Sequence, residues 1–156
     1  MTCKCPTYSD LEFDRKSIDK RIAATKDIKR PLQLIAKSPS GNALFKCEGC
    51  QQLWQSSYAW NWGDKEYLFK VPNIVIADWM EECFAQPDQL LIHSGMMHDY
   101  NAKNTFVVSD IRCKKEDCVN NALVNNVLCK EHFIQSLQQF GMLPKPPKGR
   151  MFSPYI

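Results

Sequence analysis

Seven of the eight cysteines in this 156-residue chain fall into three closely spaced groups: Cys3-x-Cys5, Cys47-x2-Cys50 and Cys113-x4-Cys118-x10-Cys129, the last followed after two residues by His132. A chain of this length can bury a core large enough to fold without cross-links, so the cysteines need another reason. No signal-peptide-like apolar run follows Met1. The longest apolar stretch, Val71 to Ala77, is interrupted by Pro72 and Asn73 and is too short to span a bilayer. The expectation is a soluble, cytoplasmic chain whose thiols stay reduced, where clustered Cys and His act as metal ligands rather than disulfides.

The strongest pattern is the C-terminal one. Cys113 and Cys118 bracket a knuckle, and Ala122 to Leu128 reads as a hairpin around Asn125-Asn126, a pair that tolerates the positive φ of a type I′ turn. Lys130 to Phe140 places Phe133, Leu137 and Phe140 on one helical face, with Gly141 as the stop. Cys129 and His132, three apart, then project together from the first turn of that helix, where the macrodipole favours a thiolate. Three sulfurs and one imidazole make a closed, four-coordinate zinc set. Knuckle, hairpin and ligand-bearing helix together resemble a treble-clef zinc module. More narrowly, residues 111–133 resemble the short Cys-x4-Cys…Leu-Cys-x2-His zinc segments of phage and bacterial nucleic-acid enzymes and small accessory proteins. That resemblance implies a metal module and no particular activity.

Cys47 and Cys50 form a second half-site, with Gly49 expected to relax the turn, and Cys3 and Cys5 are its natural complement. Four thiolates on a second zinc ion would pin residues 1–6 onto the hairpin that ends at Cys47. His93 and His98 lie in another segment, and His98 is the fallback ligand should Cys3 or Cys5 not reach the site. A redox Cys-x2-Cys would open a helix, whereas Gln51 to Trp54 has strand character. Cys83, beside Trp79, Met80 and Phe84, reads as a core thiol.

Around these sites the periodicities predict an α+β fold of small antiparallel hairpins and about three helices. A capping box at Ser9 to Glu12 and the stripe Leu11, Ile18, Ile22 predict a helix over 10–29. Alternation predicts one hairpin across Leu32 to Cys47 and a second across Trp60 to Val71, the latter held by aromatic cross-strand pairs. Ile76, Trp79, Met80, Cys83 and Phe84 predict a helix over 74–85, with Pro87 just beyond it. The organisation expected is one zinc-stabilised domain over 1–143, with the four-cysteine half at about 1–86 and the second module at about 106–143. A Pro-rich tail over 144–156 is expected to stay extended rather than packed.

No His-x-Glu with Pro-Cys-x2-Cys, no His-Glu-x2-His, no phosphate-binding Gly-rich loop and no Gly-x-Ser-x-Gly occurs, so a non-enzymatic role is expected. Residues 51–100 hold 2 basic and 7 acidic side chains, between flanks holding 10 and 6 and then 8 and 4. The aromatics crowd into that acidic middle. Trp54, Tyr58, Trp60 and Trp62, with Asp64 and Glu66, are the expected contact residues for a basic protein partner, in the style of a small immunity or inhibitor protein that blocks a toxin or nuclease. Nucleic-acid binding is the alternative, carried by Arg15, Lys16, Lys20, Arg21, Lys26, Lys29 and Arg30, by Arg112, Lys114 and Lys115, and by Lys145, Lys148 and Arg150. Acidic residues interleave with the first two of these clusters. The formal charge of +3 also vanishes once seven ligand thiolates add −7 and two divalent ions add +4.

Overall fold

The computed structural model describes residues 2–156 and has an α+β architecture. In chain order the elements are α1 (Arg15–Lys29), β1 (Gln33–Lys37), β2 (Ala43–Lys46), β3 (Leu53–Ala59), β4 (Lys65–Val71), α2 (Ile76–Glu81), α3 (Pro87–Lys103), β5 (Val108–Arg112), β6 (Asn121–Leu123) and α4 (Lys130–Gln139). The chain divides into two compact units, one of residues 1–91 with 147–156 and one of residues 92–146.

The first unit is built on an antiparallel sheet in the order β1-β2-β3-β4. Side chains alternate across a strand, so successive residues of β3 and β4 serve two different layers. Leu53, Ala59, Tyr67, Phe69 and Val71 join Trp79, Phe84, Phe152 and Tyr155 in one buried cluster. Phe45, Trp54 and Leu68 join Cys5, Cys47 and Ile28 in the other. Strands β3 and β4 therefore have apolar partners on both faces. The expected aromatic cross-strand pairs do not form: Trp60 and Trp62 lie in a short 3-10 turn, and Tyr67 and Phe69 face Ser57 and Gln55. Helix α1 covers the edge of β4, where Arg21 Nη1 donates to the Leu68 carbonyl at 2.9 Å and the Leu68 N–H donates to Thr25 Oγ1 at 3.3 Å. The outward backbone groups of Leu68 are thereby taken, which blocks further pairing at that point of the edge.

Three expectations shift here. Helix α1 starts at Arg15 rather than residue 10, because Asp14 is the cap that accepts the Ser17 N–H at 2.7 Å, and Leu11 is instead buried in the core. Helix α2 is only six residues long, and Pro87 opens the 17-residue α3 instead of merely closing a helix before it. The tail is not free. Phe152 and Tyr155 are buried, Tyr155 Oη accepts the Leu11 N–H at 2.7 Å, and the Ala85 N–H donates to the Arg150 carbonyl at 3.0 Å. Two aromatics and a backbone ladder outweigh the extended bias of its prolines. Gly149 makes this approach possible: its φ is +125°, and a Cβ there would sit 2.6 Å from the Ala85 nitrogen.

The second unit pairs β5 with β6, and α4 follows the turn after β6 in the chain. Among its described residues only Cys113, Ala122, Leu123 and Cys129 are buried, and neither apolar core cluster extends into it. No helix among the described residues is long and apolar enough to cross a membrane.

Candidate metal centres

Both ligand sets expected from the sequence come together. Cys3, Cys5, Cys47 and Cys50 form one group and Cys113, Cys118, Cys129 and His132 another, with the ligand atoms of each group within 4.8 Å of one another. Each group could hold a metal ion. In the second, Cys118 Sγ and Cys129 Sγ are 3.9 Å apart, and His132 Nδ1 lies 3.5 Å from Cys113 Sγ and 3.2 Å from Cys129 Sγ. A tetrahedral ion at about 2.3 Å from sulfur and about 2.05 Å from nitrogen gives edges of about 3.8 Å and about 3.5 Å. The spacing therefore suits one four-coordinate ion with no ligand position left open.

Local backbone chemistry places these ligands. Asp117 takes φ +61° inside the Cys113–Cys118 knuckle, and the Cys113 and Lys114 N–H groups donate to the Asn120 and Val127 carbonyls. The turn after β6 is wider than the expected type I′ form, closing through the Leu123 N–H on the Leu128 carbonyl at 2.9 Å. Asn125 alone has positive φ, at +59°, while the Asn126 side chain accepts the Leu128 N–H. Cys129 is the N-cap of α4, so its sulfur and the imidazole of His132 share the first turn. Gly141, at φ +75°, ends the helix, but Phe140 stays exposed rather than joining Phe133 and Leu137.

The four-cysteine group is held differently. Cys47 follows β2, and its loop closes through the Cys47 N–H on the Gln52 carbonyl at 2.9 Å and the Gln51 N–H on the Cys47 carbonyl at 2.8 Å. Gln51, not Gly49, takes the left-handed conformation, at φ +66°. Gly49 is needed for room, since a Cβ there would lie 3.2 Å from Cys3 Cβ. Cys5 opens a 3-10 turn over Cys5–Thr7 and receives the indole N–H of Trp54 at 3.4 Å.

Within each group the thiols are unequal. Burial pushes Cys5 up to about 12 against the pull of the Trp54 N–H, while the backbone N–H of Cys50, ahead of other donors, brings Cys47 down to about 7. Cys3 is raised, chiefly by its hydrogen bond with the Cys50 thiol. Burial lifts Cys113, but the N–H groups of Cys129 and Lys115 together with His132 outweigh it and leave the thiol at about 6. One sulfur in each group is thus biased to the thiolate a metal requires. Cys83 is half-buried against the core, and neither His93 nor His98 joins a ligand group.

The expected partner surface is only partly present. Trp54 is fully buried, because it sits on a middle strand under α1 and the four-cysteine loop, and Gln55 is buried too. Tyr58 and Trp60 are exposed at 50% and 63%, as is Asp64. Trp62 is half-buried beneath Arg15, 4.4 Å over its ring, and donates to Asp19 at 2.7 Å. Glu66 is tied to Lys29 at 2.8 Å and accepts from Ser56 at 2.8 Å.

Two buried polar residues escaped the sequence pattern. Gln55 accepts from Trp79 Nε1 at 2.9 Å and the Phe84 N–H at 3.0 Å, and donates to the Phe84 carbonyl at 3.0 Å. Asp88 accepts from Tyr67 Oη and from the Trp60 N–H at 3.0 Å, and burial raises its pKa despite these donors. Both fasten later segments onto the sheet and present no free group to a substrate. Compared with known family models, curated proteins and solved structures, the chain matches none of them.

Proposed function

We propose that both groups bind zinc as closed structural sites and that the protein is a non-enzymatic module that binds another macromolecule, more specifically a basic protein partner. The observation that carries the metal reading is the convergence of two complete four-ligand sets from segments as distant as Cys3 and Cys50. Sulfur-rich, four-coordinate sites favour zinc over hard cations, and a full ligand shell leaves no position for a catalytic water. The C-terminal centre is read as a treble-clef-like module, a reading supported by its knuckle, its β5–β6 pair and the ligands on the first turn of α4. For the partner, the support is narrower than the sequence pattern implied. Tyr58, Trp60 and Asp64 are exposed together at one end of β3 and its turn, and aromatic side chains of this kind anchor interfaces. A toxin or nuclease blocked in the manner of an immunity protein is the partner class this surface fits.

Cobalt substitution tests the metal reading. Tetrahedral thiolate coordination gives intense visible bands and sulfur-to-cobalt charge transfer, expected for two ions per chain. Retention on heparin or DNA tests the partner reading. Weak retention is expected, whereas binding that falls steeply with salt counts phosphate contacts and would move the assignment to nucleic acid.

A further inference from the structure

The two centres differ in what solvent can reach. In the four-cysteine centre Cys5 and Cys47 are buried, Cys3 is half-buried and Cys50 is exposed. In the other centre Cys113 and Cys129 are buried, Cys118 and His132 are half-buried, and no ligand is exposed. The buried sulfurs are also occupied by donors. Cys5 takes the Trp54 indole N–H, and Cys47 takes the backbone N–H groups of Cys50 and Gly49. A thiolate whose electron density is held by N–H donors is a weaker nucleophile than one facing water.

We infer that Cys50 is an oxidation site, the point at which a small peroxide opens the N-terminal zinc centre while the C-terminal one stays closed. This rests on the reading of the four-cysteine group as a zinc site. The Cys50 sulfur attacks one peroxide oxygen, forming an S–O bond as the O–O bond breaks and hydroxide leaves. A second thiolate of the same centre then attacks that sulfur, forming the disulfide and expelling a second hydroxide. Peroxide is reduced by two electrons, and two thiolates are oxidised. All four ligand atoms lie within 4.8 Å of one another, so a partner sulfur stands close to the oxidised one. With two ligands consumed the ion leaves, and Cys3 and Cys5 lose their link to the Cys47–Cys50 loop. The exposed Lys4 between them then becomes open to trypsin.

The test starts from fully loaded protein whose zinc has been counted. Peroxide is added with a chromogenic chelator present. The expected result is release of one zinc per chain at least roughly tenfold faster than the second, with a disulfide containing Cys50 and new cleavage after Lys4. Release of both ions at one rate, release of the C-terminal ion first, or a disulfide lacking Cys50 would overturn the inference. Finding one zinc or none at the outset overturns the zinc reading itself, and the inference with it. Cys50→His keeps four ligands without the sulfur and should slow the first release to the rate of the second. Should that variant not load zinc, limiting iodoacetamide on the loaded wild-type protein decides the matter: first alkylation at Cys50 supports the assignment, and first alkylation at any other cysteine refutes it.

Discussion

The indole N–H of Trp54 donates to the sulfur of Cys5 at 3.4 Å, from a ring with no exposed surface. One residue thus links the N-terminal centre to the middle of the sheet. An N–H donor behind a ligand sulfur orients the ligand and offsets its charge. Replacing Trp54 by Phe keeps an aromatic filler but removes the donor. The expected outcome is a loss of roughly tenfold or more in affinity for the N-terminal ion, with the C-terminal ion unaffected. Competition with a chelator of known affinity checks both values.

Gly149 is predicted to be intolerant of any side chain. An alanine Cβ would meet the Ala85 nitrogen at 2.6 Å from a backbone already at φ +125°. Gly149→Ala should cost about 2–4 kcal/mol by displacing the tail that seats Phe152 and Tyr155. Chemical denaturation followed by tryptophan fluorescence measures this directly. Wild-type stability would show that the tail is dispensable.

Acid should empty the two centres in order. Cys113, at about 6, and Cys47, at about 7, have folded pKa values depressed below the ordinary 9.0. Their thiolate contribution is complete above that ordinary value and is lost as pH falls through the folded value. Cys5, raised to about 12, instead holds its proton against the metal in the four-cysteine centre. Cys3 and Cys5 are both raised in that centre, against Cys118 alone in the other, so proton competition is stronger there. Zinc release on acid titration should occur in two steps, the N-terminal ion at the higher pH and the C-terminal ion at the lower. A single step, or the reverse order, contradicts this.

Removal of one C-terminal ligand should unfold residues 92–146 while sparing the sheet. That unit buries little besides two of its own ligand cysteines, so its folding free energy is largely metal-binding free energy. Hydrogen exchange on Cys113→Ser should show α4 unprotected and β3 and β4 unchanged. Retained protection in α4 would mean that an apolar core suffices there.

The ligand sets were legible in the sequence because metal chemistry restricts both residue type and spacing. Cys113, Cys118, Cys129 and His132 had only to be counted. Pairing Cys3 and Cys5 with Cys47 and Cys50 was legible by elimination, since no nearer segment offered two more sulfurs. The sequence pattern misplaces Trp54 because β3 is covered on both faces, which removes the alternation that marks an exposed side. The partners of Gln55, Trp79 and Phe84, lie 24 and 29 residues away and leave no local trace. Helix α3 was missed because Pro87 serves equally to end one helix and to begin the next, and Gly95 and the histidines blur its apolar stripe.

Native mass spectrometry of the chain purified without chelator tests the central claim most directly. Two zinc ions per chain are predicted, with Cys47→Ala and Cys113→Ala each removing one ion and leaving the other. A chain carrying fewer than two ions, or a variant that loses both together, would contradict two independent structural centres.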